Sequence, residues 1–228
     1  MATTRPLSPA EQAGLVQACA TERDKLLILT GLLTGYRVTE LRAITWAHVF
    51  DEGKAEVRSE LTIARRDLKG GRGVTTRRRV KSRTVPLHPE LRLAIRNHRA
   101  SLGPVDPGTA LFAAKGSVVG ISRVQAHRII KAAATRAGID TARVACHSLR
   151  RTFCQDVFDR SGKNLVLCSK IMNHASIVTT ALYISSNATD VSNLILGAVA
   201  PSYHAFQAGN PAESTTTATP ERSLPRHG

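Results

Sequence analysis

The sequence predicts a mainly α-helical domain that carries a small antiparallel β-sheet. Two observations carry this. Apolar residues recur at helical spacing on both sides of the chain's middle. Between Lys54 and Leu87 that spacing gives way to short alternation, interrupted by Gly-Gly-Arg-Gly at 70–73.

The elements follow in order. Residues 24–34, DKLLILTGLLT, are apolar nearly all round, as in a buried helix, and Gly35 supplies a helix stop. A second helix is expected from Arg37 to about Trp46, with Val38, Leu41, Ile44 and Trp46 at its apolar positions. Ala55, Val57, Leu61, Ile63, Val80, Val85 and Leu87 mark the strands, with a long flexible hairpin tip near 69–79. Helices are expected at about 88–101 and 121–137, separated by the loop SLGPVDPGT at 101–109. A helix over 147–160 places Leu149, Phe153 and Val157 every four residues toward the core. Further helices fall at about 164–173 and 176–184, with a shorter one over 187–198. After Pro201 the composition turns to Thr, Pro, Ala and Ser, so residues 1–200 are expected to form one domain and 201–228 a disordered tail.

Charge narrows the function. Lys and Arg number 32 against 17 Asp and Glu, a formal net charge of +15. Such an excess points to a polyanionic partner, usually nucleic acid. Aromatic residues make up only 4%, which disfavours single-strand binding by base stacking and favours phosphate contacts along a duplex. No run of eighteen apolar residues offers a membrane span, and residues 1–9 lack a secretion signal pattern, so a cytoplasmic protein is expected. Cys19, Cys146, Cys154 and Cys168 form no C-x-x-C pair and lack zinc-ligand spacing with histidine; neither disulfide nor metal is expected.

Several residues have the chemistry to hold or attack a phosphate. His147 and Arg150, three apart on a helix, share a face at its N-terminal end, where free N–H groups favour anions. Arg37 follows Gly35 at the start of another helix. His174 and Tyr183 lie nine positions apart. Each alone is an ordinary residue: a solvated arginine, a core histidine, a helix tyrosine with a wet hydroxyl. The ordered series is not ordinary. The chain reads LLTGYRVTELRAITW, then a basic hairpin ending VKSRTVPLHPEL, then HSLRRTF, then MNHASIVTTALYI.

This series resembles the tyrosine recombinase (phage integrase) family over about residues 6–200, the matching residues being Arg37, His147, Arg150, His174 and Tyr183. The resemblance implies that family's catalytic-domain fold and cleavage of duplex DNA through a 3′-phosphotyrosine, with no metal, ATP or other cofactor. The residue types suit that chemistry. Two guanidiniums grip the non-bridging oxygens where negative charge builds. Histidine moves protons near neutral pH. The resemblance implies that His147 assists proton removal from Tyr183 and that His174 hydrogen-bonds the phosphate.

Three departures stand out. The family's hairpin lysine, the general acid, commonly sits about eight positions before the proline of V-P-L, and counting back from Pro86 lands on Arg78. Arginine hardly deprotonates. Lys81, on the better-matched return strand, is therefore taken ahead of Lys69. The usual L-G-H before the second histidine is Met172-Asn173-His174. Only Met1 to Pro6 precede the matched region, so no helical DNA-clamp domain is expected ahead of it. Phosphate contacts are expected from Arg65, Arg66, Lys69, Arg72, Arg77, Arg78, Arg79 and Arg83 in the hairpin, and from Arg123 and Arg128 on the 122–138 helix. The partners implied are double-stranded DNA and three further copies in a DNA-bound tetramer, with an isolated chain monomeric. Val191, Leu194, Ile195, Leu196 and Val199 form an apolar stretch that packs either on a neighbouring subunit or within the chain. Three other readings compete: an inactive DNA-binding accessory protein, a type IB topoisomerase-like enzyme and a basic RNA-binding protein.

Overall fold

A computed structural model describes residues 4–64, 82–174, 177–181 and 183–184. Met1–Ser185 form one compact unit; the remaining unit, Ser186–Gly228, lies outside the described residues, as do the expected helix at 187–198, the apolar stretch 191–199 and the tail. In chain order the elements are α1 (Pro9–Gln17), α2 (Glu22–Thr34), α3 (Val38–Leu41), α4 (Trp46–Val49), β1 (Phe50–Asp51), β2 (Glu56–Val57), β3 (Glu60–Ile63), β4 (Arg83–Pro86), α5 (Pro89–Ser101), α6 (Arg123–Arg136), α7 (Cys146–Arg160), α8 (Leu165–Ile171) and α9 (Ile177–Ala181). Among the described residues no helix is long and apolar enough to cross a membrane.

Helix α2 is the centre of the fold. Its Leu26 and Leu27 belong to one core with Trp46, Leu61, Ile63, Val85, Leu91 and Phe112. Its Ile28 and Leu32 belong to a second core with Leu15, Ile130, Val144 and Leu149. Serving two cores requires apolar residues around most of the helix, which is why the segment lacks a polar stripe. Against α7 the backbones approach closely: a Cβ added at Gly31 would stand 2.7 Å from Leu149 Cδ1. Gly35 then ends α2 in the left-handed conformation, φ 61°, where a Cβ would stand 2.2 Å from Phe153 Cδ1. Gly35→Ala is expected to lower stability by about 2–4 kcal/mol, combining a left-handed penalty of about 1–2 kcal/mol with overpacking against α7. Urea unfolding checks this; an unchanged midpoint would contradict it.

Helix α1 is an addition to the sequence reading. Ser8 accepts a hydrogen bond from the Glu11 backbone while the Glu11 carboxylate accepts from the Ser8 N–H, a capping box with Pro9 at the first helical position. The single helix expected over 37–46 is instead two short ones. Ile44 accepts a hydrogen bond from the Leu111 N–H and Thr45 bridges Ala110, and these tertiary bonds break the helix between Leu41 and Trp46. The sheet also divides in two. β1 pairs with β2, and β3 pairs with β4 with Leu61 opposite Val85 and Ile63 opposite Arg83, all antiparallel. The hairpin tip joining β3 to β4 lies outside the described residues.

The third core lies behind the C-terminal end of the described chain. Buried Cys154 on α7 and Cys168 on α8, their sulfurs 3.4 Å apart, pack with Met172 against Phe153, Val157 and Tyr183. This cluster joins the helix bearing His147 and Arg150 to the one that leads into His174.

Candidate active site

Arg37 is set by the turn that leaves α2. Its backbone N–H donates to Glu40 Oε2 at 2.7 Å, and its guanidinium donates to Glu40 Oε1 at 2.9 Å. Glu40 is 1% exposed, whereas the Arg37 side chain keeps 26%. A buried carboxylate thus anchors one edge of the guanidinium and leaves the rest toward solvent. The R-x-x-E spacing was present in the sequence, but the acid was not singled out there.

His147 and Arg150 lie in the first turns of α7, on one face as expected. Thr152, further along, holds the N-terminal segment by accepting from the Leu7 N–H at 2.9 Å. His147 Nε2 is 2.7 Å from the Tyr183 hydroxyl. Arg150 is 1% exposed. It donates to the carbonyls of Gly35 and Met172 and to His174 Nε2, the last at 2.8 Å, while its Nε has no partner among the described residues. Burial, then the neighbouring Arg37 and Arg83 charges, push the Arg150 guanidinium down to about 10.

Since Arg150 can only donate, His174 Nε2 must accept, which places the ring proton on Nδ1, 2.8 Å from Thr180 Oγ1. His174 is therefore neutral. Burial first, then Arg150, Arg37 and Arg83, hold it down to about 3. The turn before it accommodates the glycine-to-asparagine departure. Asn173 takes φ 51°, a left-handed conformation that asparagine tolerates, and the His174 N–H reaches the Ser169 carbonyl at 3.1 Å to close the helix end.

A pH dependence follows. In the unfolded chain His174 titrates near 6.5. Between that value and about 3 the unfolded state binds the proton that the folded site refuses, so stability falls as pH drops through this window. Glu11, held at about 2 chiefly by its hydrogen bond from Arg5, adds a loss of its own in acid. Urea unfolding between pH 7 and 4 is expected to show a steeper decline in the parent chain than in His174→Gln; equal slopes would contradict the assignment.

Tyr183 lies beside all of these groups. Its ring centroid is 5.5 Å from that of His147 and 5.2 Å from that of His174. The guanidinium carbons of Arg150 and Arg151 lie 5.9 and 5.5 Å from it. The structure thus gathers four residues of the sequence series, His147, Arg150, His174 and Tyr183, into one cluster. Arg37 joins it through the Gly35 carbonyl two residues upstream, and its charge is felt by both Arg150 and His174.

Residues 6–190 match the family model described as the phage integrase family. The chain belongs to the phage integrase family. The tyrosine recombinase XerH of Campylobacter jejuni is 28% identical over 163 residues, 72% of this chain and 41% of XerH. YoeC of Bacillus subtilis, a probable integrase/recombinase, is 38% identical over 64 residues, 28% of this chain and 34% of YoeC. The chain spans under half the length of these curated relatives. The crystal structure of XerA recombinase superposes with a TM-score of 0.65 at 24% identity, over 86% of this chain and 66% of XerA. The fold of this integrase-family chain is therefore the mainly α, small-sheet architecture that the sequence predicts.

Arg123 and Arg128 of the integrase-family chain lie exposed on α6, whose buried face is Ala126, Ile130, Ala133 and Ala134. Lys81, Arg65, Arg66, Lys69, Arg72, Arg77, Arg78 and Arg79 lie outside the described residues. Arg83 requires a correction. Expected to touch DNA phosphate, it is 5% exposed. Alternation along β4 turns it inward with Val85, and its guanidinium donates to the carbonyls of Ile171 and Thr34.

Proposed function

We propose that this chain carries the catalytic domain of a site-specific DNA recombinase that cleaves and rejoins duplex DNA through a 3′-phosphotyrosine at Tyr183. The observation that carries the reading is the 2.7 Å contact between His147 Nε2 and the Tyr183 hydroxyl, made beside the Arg150 guanidinium. An N–H on His147 Nδ1 would leave Nε2 free to take the phenol proton.

In the forward step the Tyr183 oxygen attacks phosphorus and its proton passes to His147. The bond from phosphorus to the 5′-oxygen breaks, and that oxygen takes a proton from the hairpin lysine, Lys81 ahead of Lys69. Arg37 and Arg150 neutralise the charge that grows on the non-bridging oxygens, a contribution of about 10²–10³ in rate for each such donor. His174 Nε2, which accepts from Arg150, orients that guanidinium; hydrogen-bonding the same phosphate requires the ring proton to move to Nε2 once the phosphate takes Arg150. In the reverse step a 5′-hydroxyl displaces the tyrosine. Each ester replaces another, so neither ATP nor another cofactor enters. The exposed Arg123 and Arg128 of α6 and the basic segment 65–81 supply sequence-independent phosphate contacts, and the working species is a tetramer on duplex DNA in the cytoplasm.

Incubation with a nicked duplex, from which the 5′-hydroxyl fragment diffuses away, tests the reading. A denaturant-resistant protein–DNA adduct is the expected product. With intact paired sites, exchanged strands support recombination and relaxation alone supports a topoisomerase. Duplex binding without any adduct overturns the enzymatic reading.

A further inference from the structure

We propose that Arg83 is a positioning residue for this reaction: it and Arg150 are paired struts between the same two helix ends, and Arg83 keeps those ends in register while Arg150 engages the phosphate. The inference rests on the reading of Arg150 as a phosphate donor.

The observation is a symmetry in the hydrogen bonds. Arg83 donates to the carbonyls of Thr34 (2.6 Å) and Ile171 (3.1 Å). Arg150 donates to the next carbonyl in each case, Gly35 and Met172. Thr34 and Ile171 are the last residues of α2 and α8, and Gly35 and Met172 are their C-caps. Two helix C-termini converge here, each with carbonyls that the helix itself cannot satisfy and each at the negative end of its dipole. Two guanidiniums fill the gap, one from β4 and one from α7. The two helix ends lead, two residues beyond each cap, to Arg37 and His174. The distance between those two residues therefore depends on what spans the ends.

The struts are not equivalent. Each guanidinium has one buried donor without a partner among the described residues, Nε of Arg150 and Nη1 of Arg83, but of the two Arg150 is the one beside Tyr183, where a phosphate would compete with the carbonyls for its donors. Arg83 is held against Tyr36 instead. Its guanidinium stacks on the Tyr36 ring at 4.4 Å, and its own carbonyl accepts from the Tyr36 hydroxyl at 2.7 Å. Tyr36 in turn sits between Gly35 and Arg37. Arg83 thus binds the hairpin strand, the Arg37 turn and the His174 turn into one unit. Burial and the neighbouring Arg37 oppose the charge on Arg83 while Tyr36 and Glu40 favour it, and among the described residues no acid forms an ion pair with it, so holding this second cation in the interior is costly.

Arg83→Gln and Arg83→Lys test the proposal on the full chain, with folding checked by circular dichroism and thermal melting. Both are expected to bind duplex within about threefold of the parent. At saturating nicked duplex, Arg83→Gln is expected to cleave about 10–100-fold more slowly, since small misplacements cost rate on this scale. Arg83→Lys, whose ammonium can serve one carbonyl but not both, is expected to fall between. The ¹⁵N signals of the His174 ring are expected to move in both. Unchanged saturated rates with unchanged His174 signals overturn the proposal, and so does a loss confined to DNA affinity, which would make Arg83 a phosphate contact. If Arg83→Gln does not fold, Arg83→Lys decides by the same readings. If the parent chain forms no adduct, the recombinase reading fails while the His174 signals still decide whether Arg83 sets the turn.

Discussion

Tyr183→Phe is expected to abolish the covalent adduct on nicked duplex while leaving duplex affinity within about twofold of the parent chain. The substitution removes one oxygen from a half-buried ring that keeps its neighbours: His147 and His174 at centroid distances of 5.5 and 5.2 Å, and the guanidiniums of Arg150 and Arg151. The hydroxyl lost is the one 2.7 Å from His147 Nε2. Since His147 is exposed to water, removing its partner costs little stability, about 0.5–1.5 kcal/mol. Affinity rests on charges that the substitution leaves alone. The expected pattern is loss of chemistry with retained binding and fold, read from denaturing gels and from a binding titration at fixed salt. Adduct formation at the parent rate would remove Tyr183 from the mechanism.

Arg150→Lys is expected to cut the saturated cleavage rate by about 10²–10³-fold. A lysine keeps the charge but not the planar fork, and one ammonium cannot reach the Gly35 carbonyl, the Met172 carbonyl and His174 together. Carbonyls left without donors in a site that is 1% exposed lower stability by about 1–3 kcal/mol. The two losses separate through the substrate. A scissile methylphosphonate carries no charge for the guanidinium to neutralise, so Arg150→Lys is expected to approach the parent rate on it. Equal impairment on charged and neutral substrates would assign Arg150 to architecture alone.

Much of this was legible before any coordinates. The long helices announced themselves by apolar spacing, because α5 and α6 each bury one face and expose the other. The ordered residues Arg37, His147, Arg150, His174 and Tyr183 were legible because each sits inside a local block with its own spacing. What escaped was set by contacts distant in sequence. The break between α3 and α4 comes from strand-like bonds to Ala110 and Leu111, some 65 residues away. Arg83 was read by its charge, although alternation with Val85 already placed it on the inward face. Thr180, whose hydroxyl faces His174 Nδ1, carried no signal of its own. The capping box of Ser8 and Glu11 was visible in the sequence and marks the one element that a closer reading would have found.

Digesting the trapped adduct with protease and nuclease and sequencing the modified peptide by mass spectrometry tests the central claim most directly. A nucleotide joined through its 3′-phosphate to Tyr183, with a free 5′-hydroxyl on the released strand, is the expected result. Attachment at another residue, or linkage through a 5′-phosphate, would contradict the chemistry assigned to this site.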